Sequence, residues 1–344
     1  MAFQRDRFGT VTVARALTSS DLNMLLDDPW LDSETIIVKP NWVETKPALF
    51  TDCETLRLLL EALDSKVVVV EGHQIARSMN ELHEGMPFTL EGKERNWLWL
   101  MRGGWSWLEK NTGWGWFREG GHWDQIRREE ELFLDEYGFT DLFQDLGVEY
   151  VNVTDEIWSG RTVDPAVIKG VVESRFKPVF EERLYGYVPR RLYDLRGSTL
   201  INFAKVKQYA TFSMKNLFGL IPDPLRAWWH GPKNSRFDDS VIGINKVYGA
   251  LFNVFGVCEA LRRMAILNPE GEVEVPGFKY DVAEGLGVVA FGRHLVSLDA
   301  VVCALAGFEF KDASYLEGAG EEFGAYNMEV VEEVRSKASE WFPG

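Results

Sequence analysis

The sequence predicts a single α/β domain over residues 1–344, with a mostly parallel or mixed sheet, helices on both faces and a tryptophan-rich insertion. Three observations carry that expectation. Residues 35–39 (TIIVK), 67–70 (VVVV) and 199–204 (TLINFA) are apolar at successive rather than alternate positions, as strands buried on both faces are. A leucine-rich helical stretch separates the first two of these runs, which is the βαβ rhythm of a parallel sheet. No repeat, low-complexity tract or linker divides the chain.

Taken in order, residues 10–17 (TVTVARAL) read as a strand, and Ser20-Asp21 as the cap of a short helix. The β-branched run at 35–39 is halted by Pro40. Thr51-Asp52-Cys53-Glu54 has the form of a capping box, with its helix running to Leu63. The strand at 67–70 ends at Glu71-Gly72. Residues 74–147 read as an insertion, and seven of the thirteen tryptophans fall at 93–123, including three W-x-W pairs. The glycines among them argue against one continuous helix. Such a segment suits a small aromatic core of its own, a lid over a ligand, a subunit contact or a membrane-interface patch. Strand character resumes at 148–153 and again at 199–204. A long helical region follows, with Asp238 or Asp239 as its cap and apolar residues through Phe255. Residues 286–291 suit a late strand, 297–305 the helix after it, and the acidic tail has helical periodicity.

Lys+Arg 37 against Asp+Glu 53 gives a net charge of −16, which disfavours nucleic acid or an anionic membrane as a partner of the whole surface. No run of eighteen apolar residues predicts a stable membrane span, and no apolar stretch follows the first residues as in a secretory signal. A cytoplasmic protein is therefore expected. Cys53, Cys258 and Cys303 are far apart and form no C-x-x-C, so no iron–sulfur cluster is encoded in this chain. His73, His83, His122, His230 and His294 show no H-x-x-x-H spacing, so no helical metal pair is visible.

Polar motifs follow three of the apolar runs: Lys39-Pro40-Asn41, Glu71-Gly72-His73 and Lys205-Val206-Lys207. Ligands of open α/β sheets collect outside the carboxyl ends of the strands, so one shared pocket is expected, although strand ends are polar in any protein. The segment 205–236 carries Lys205, Lys207, Lys215, Arg226, Lys233 and Arg236 against Asp223, a local +5 within an acidic chain. Ser213, Lys215 and Asn216 stand beside Gly219, which permits close backbone approach. Lys and Arg supply charge and Ser and Asn directed hydrogen bonds, a set suited to phosphate or carboxylate. His230 lies in the same stretch. An exposed basic run paired with the acidic remainder is the plainer alternative.

With these residues in hand, the chain resembles the domain-of-unknown-function 362 family over about 40–75 and 195–320. The resemblance lies in K-P-N (Lys39, Pro40, Asn41), a threonine-led helix at Thr51, and E-G (Glu71, Gly72). It continues with K-x-K (Lys205, Lys207), S-x-K-N-L-F-G-L (Ser213 to Leu220), Arg226 and His230, and L-D-A-V-x-x-x-L-A-G from Leu298. Two features depart from the pattern. Gln208-Tyr209 stand where many relatives carry His, and the cysteine-rich ferredoxin-like module that many relatives append is not found here. The resemblance implies an α/β fold and points towards redox work.

The first functional expectation is an enzyme acting on an anionic small molecule, any redox chemistry needing an external electron donor. Lys39, Glu71 and Asp299 are its candidate acid–base groups. Asn41, His73, Lys205, Lys207, Ser213, Lys215, Asn216, Arg226 and His230 are its candidate ligand-binding groups. No cofactor is identified, since neither G-x-G-x-x-G nor a Walker A motif is present. The alternatives are a non-catalytic binding or assembly protein, forming a homo-oligomer through the tryptophan-rich insertion, and a metal-assisted enzyme using Glu71, His73, His230 or Asp299. Convergence of Lys39, Glu71, Lys205 and Lys215 on one cleft is what an enzyme requires.

Overall fold

The computed structural model describes residues 4–342 apart from 44, 75–76, 78–86, 91–92, 97–121, 209–211, 224–225, 276–277 and 310–311. The strands of the main sheet are β1 (Arg5–Phe8), β2 (Val11–Arg15), β3 (Thr35–Lys39) and β4 (Lys66–Glu71) in the first part of the chain. After two strands that pair with each other, β5 (Pro87–Leu90) and β6 (Lys93–Asn96), come β7 (Glu149–Asn152), β8 (Thr199–Lys205) and β9 (Asn253–Ala260). A separate three-stranded sheet is built from β10 (Arg263–Leu267), β11 (Val273–Val275) and β12 (Phe278–Glu284) before β13 (Val288–Gly292) returns to the main one.

The main sheet has eight strands in the order β1-β2-β13-β9-β8-β3-β4-β7. From β9 to β7 every pairing is parallel, whereas β13, β2 and β1 add an antiparallel edge. The apolar runs explain this. Ile36 and Val38 of β3, Val67 and Val69 of β4, and Ile201 and Phe203 of β8 enter one core. Ile37, Val68, Val70, Leu200 and Ala204 enter the other, so neither face of these strands can meet water. Helices Ser19–Leu25, Cys53–Glu61 and Phe139–Leu146 bury their apolar sides in the first core. Helices Pro165–Glu173, Phe237–Leu251 and Leu295–Leu305 cover the second. Among the described residues no helix is long and apolar enough to cross a membrane.

Several local expectations are corrected. The first helix is capped by Thr18, whose side chain accepts from Asp21 N while Asp21 reaches back. The next is capped by Asp52, not Thr51, because Thr51 Oγ1 is already the acceptor for Asn41 N. Asp238 and Asp239 lie in the first turn of Phe237–Leu251 without capping it. That helix stops at Leu251, and the apolar residues beyond it form β9 in the middle of the sheet. Within the expected insertion at 74–147, helices His122–Glu136 and Phe139–Leu146 contribute Phe133, Phe139 and Leu142 to the first core. The tryptophan-rich residues 97–121 lie outside the described residues.

Trp42 joins these helices to the sheet. Its buried ring lies 5.3 Å from Phe133 and 4.4 Å from Phe139 between centroids, and its Nε1 donates to Thr51 O at 2.9 Å. Trp42→Ala is therefore expected to destabilise the fold by about 3–5 kcal/mol, the usual result of emptying a large aromatic site. Hydrogen exchange should locate the loss, with protection falling most in 122–146. Unchanged protection there would show that those helices fold independently of the sheet.

Candidate functional site

Lys39, Asn202 and Glu71 are placed by three adjoining parallel strands. Lys39 ends β3 and pairs in register with Asn202 of β8, while Glu71 ends β4 on the other side. The Lys39 ammonium donates to Glu71 Oε2 at 2.7 Å, to Pro40 O at 2.9 Å and to Asn216 Oδ1 at 3.2 Å. Asn216 Oδ1 also accepts from Asn41 Nδ2 at 2.9 Å, and Asn216 Nδ2 donates to Asn202 Oδ1 at 2.8 Å. One buried amide thus ties β3, β8 and the short helix Ser213–Asn216 together. Burial drives the Lys39 amine down to about 8, even against the Glu71 carboxylate beside it.

Two glycines allow this closure. A Cβ at Gly219 would lie 2.6 Å from both Lys39 Nζ and Glu71 Oε1. A Cβ at Gly72 would lie 2.5 Å from Gly219 O and 2.6 Å from Arg226 Nη2. The close approach foreseen at Gly219 is therefore made to the ion pair within the protein. Arg226 clamps the two loops, donating to Gly219 O, to Gln74 Oε1 and, at 2.6 Å, to Ile221 O.

A second buried network begins one residue beyond Gly72. His73 Nδ1 lies 2.7 Å from Glu130 Oε2, and Arg77 grips both Glu130 oxygens at 2.6–2.7 Å. Tyr150 donates to Glu130 Oε1. Burial works to raise the Glu130 carboxyl, but Arg77, His73 and Tyr150 outweigh it and hold the group down at about 2. His73 N donates to Thr154 Oγ1 at 2.9 Å, and its buried Nε2 has no hydrogen-bond partner among the described residues.

Lys215 lies on the outer side of the junction, half-buried. Its Nζ is 3.3 Å from His230 Nε2 and packs over the rings of Phe218 and Phe237, 3.5 and 4.6 Å from their centroids. Burial, with Arg226, Lys39 and Lys207 nearby, holds the amine well below the ordinary lysine value. Burial and Lys215 likewise hold His230 down to about 3.

The predicted residues therefore fall into distinct settings. Lys39, Asn41, Glu71, Asn216 and Arg226 share one junction, with His73 on the adjoining loop and Lys215 and His230 at its edge. Lys207 is buried within the same charged neighbourhood as Lys215. Lys205 is paired across the β8–β9 ladder with Glu259 at 2.9 Å, both fully buried. Asp299 accepts from Ser213 N, Ser213 Oγ, Met214 N and Tyr315 OH at 2.5–3.0 Å, so both side chains secure the start of helix Ser213–Asn216. Burial raises the Asp299 carboxyl to about 6. Glu71, His73, His230 and Asp299 bond to different partners, and no group of three or more metal-ligating side chains gathers among the described residues.

Sequence reasoning missed Glu130, Arg77, Asn202 and Glu259. The last two carried a signal, each being a polar residue inside an otherwise apolar strand. Glu130 lies in the run R-R-E-E-E, which reads as a solvated helix face.

The chain is thus an α/β protein with a mixed main sheet and charged side chains gathered at the carboxyl ends of its adjoining parallel strands. The family model described as domain of unknown function (DUF362) matches residues 124–304, over half of the chain, and the chain belongs to that family. No curated protein and no solved structure matches it. The matched residues include Glu130, Asn202, Lys205, Lys215, Arg226 and Asp299, while Lys39, Asn41, Glu71 and His73 precede them.

The low position of Glu130 fixes a pH dependence. A carboxyl held at about 2 rather than the usual 4.5 adds stability that is full above about 4.5 and lost as pH falls towards 2. Glu130→Gln is expected to cost about 3–5 kcal/mol near neutrality, the usual result of breaking a buried pair from one side. Denaturant unfolding of the two proteins should show that gap closing between pH 4.5 and 2. A gap independent of pH would mean that Glu130 is not held as an anion.

Proposed function

We propose that the chain is an enzyme that binds an anionic small molecule at the carboxyl ends of β3, β4 and β8. The observation that carries this reading is the setting of Lys215. It is half-buried, no carboxylate contacts it among the described residues, and Arg226, Lys39 and Lys207 are the charges that bear on it. Basic groups so crowded disfavour one another's protonation while the site is empty, and a phosphate or carboxylate relieves that repulsion. The acidic remainder of the surface makes the feature local. Specific chemistry rather than bulk attraction would then select the ligand.

The neighbouring groups favour an enzyme over a passive binder. Glu130 anchors one nitrogen of His73, and Nε2 has no hydrogen-bond partner among the described residues, the arrangement that suits an imidazole to accept or return a proton. Lys39 and Glu71 instead hold the loops in place. Inorganic phosphate should raise the melting temperature of the wild-type protein, whereas sodium chloride at equal ionic strength should not. Saturation to about a hundred times the dissociation constant adds about 2.7 kcal/mol. Lys215→Ala should abolish most of that gain. No response to phosphate, sulfate or a panel of small carboxylates would refute the reading.

A further inference from the structure

We propose that the Lys215 amine forms an imine with the carbonyl carbon of its anionic ligand, so that the site takes small 2-oxo acids. The proposal deepens the anion-binding reading and rests on it. It starts from how firmly Lys215 is placed. The next residue, Asn216, is fixed by Lys39, Asn41 and Asn202, and the first residue of the same helix, Ser213, is held by Asp299. The lysine backbone is thus anchored on both sides.

The side chain is placed as a nucleophile needs. His230 is stacked on Phe237, with centroids 5.2 Å apart and planes at 23°, and its Nδ1 is 3.2 Å from Asn234 Oδ1. An amide oxygen only accepts, so Nδ1 carries the hydrogen and the Nε2 lone pair faces Lys215. One N–H of the amine is then engaged by His230 at 3.3 Å, which leaves the nitrogen lone pair of the neutral amine free to attack. Lys39 and Lys205 differ in kind, because carboxylate oxygens of Glu71 and Glu259 stand 2.7 and 2.9 Å from their amines. Lys215 is instead surrounded by aromatic carbon and by cations, the two settings that favour a free lysine amine.

The step balances without an oxidant or reductant. The nitrogen lone pair attacks the carbonyl carbon, the C–N bond forms and the carbonyl π pair moves to oxygen. A proton passes from nitrogen to that oxygen while His230 Nε2 accepts the hydrogen bond of the remaining N–H, giving the carbinolamine. Loss of the second N–H proton and of hydroxide, together one water, leaves the C=N bond. The carboxylate of the 2-oxo acid meets the cationic neighbourhood that the anion-binding reading describes.

The test uses the wild-type protein, glyoxylate as the probe and sodium cyanoborohydride to trap any imine, with peptide mass spectrometry to locate the adduct. Lys215 should be modified at least about tenfold faster than the exposed Lys66, as befits a firmly placed amine among aromatic rings. Inorganic phosphate should slow that reaction, and Lys215→Arg should remove the adduct while keeping stabilisation by phosphate. Modification spread over exposed lysines with Lys215 unmodified would overturn the proposal. If phosphate still stabilises the protein in that case, the anion-binding reading survives, whereas absence of phosphate stabilisation defeats that reading by itself.

Discussion

The structure depends on bringing Lys39, Glu71 and Asn216 together in a space that excludes water. An ammonium and a carboxylate so deeply buried lose most of their hydration, and only close pairing with every donor and acceptor engaged offsets that loss. Lys39 makes three hydrogen bonds, and Asn216 uses both ends of its amide. Because these partners come from β3, β4, β8 and the helix after β8, the interaction sets the positions of all four. Gly72 and Gly219 are the steric condition for it.

From that junction follows the character of its edge. Residues that complete the inner network are consumed by it: Asn41 through its amide nitrogen, Ser213 by Asp299, Lys205 by Glu259. At its edge Lys215 meets an imidazole and two aromatic rings, and buried beside it His73 has a nitrogen with no hydrogen-bond partner among the described residues. A closely paired interior holds such groups in fixed positions, as a preorganised site requires. The proposed anion site and the proposed imine both draw on that contrast.

Much of the fold was legible because the strands are apolar on both faces. β3, β4 and β8 could be read directly, and with them the convergence of Lys39, Asn41 and Glu71 at neighbouring strand ends. β9 was not separable from the helix before it, since an apolar run without alternation suits either element. Helix His122–Glu136 was hidden by its charge: Glu130 is indistinguishable in sequence from its solvated neighbours, yet three partners from different segments bury it. The basic stretch 205–236 read as one anion-binding surface, whereas tertiary pairing divides it. Lys205 goes to an internal ion pair and Arg226 to loop carbonyls, while Lys215 stays at the edge. Such a division depends on contacts far apart in the chain.

The central claim is that the junction at the strand ends supports an anion site at Lys215. Anomalous diffraction from crystals soaked in tungstate, a heavy analogue of phosphate, tests it most directly. The account expects a peak within hydrogen-bond reach of Lys215 Nζ, beside His230. Peaks confined to exposed lysines elsewhere on the surface, with none at Lys215, would contradict it.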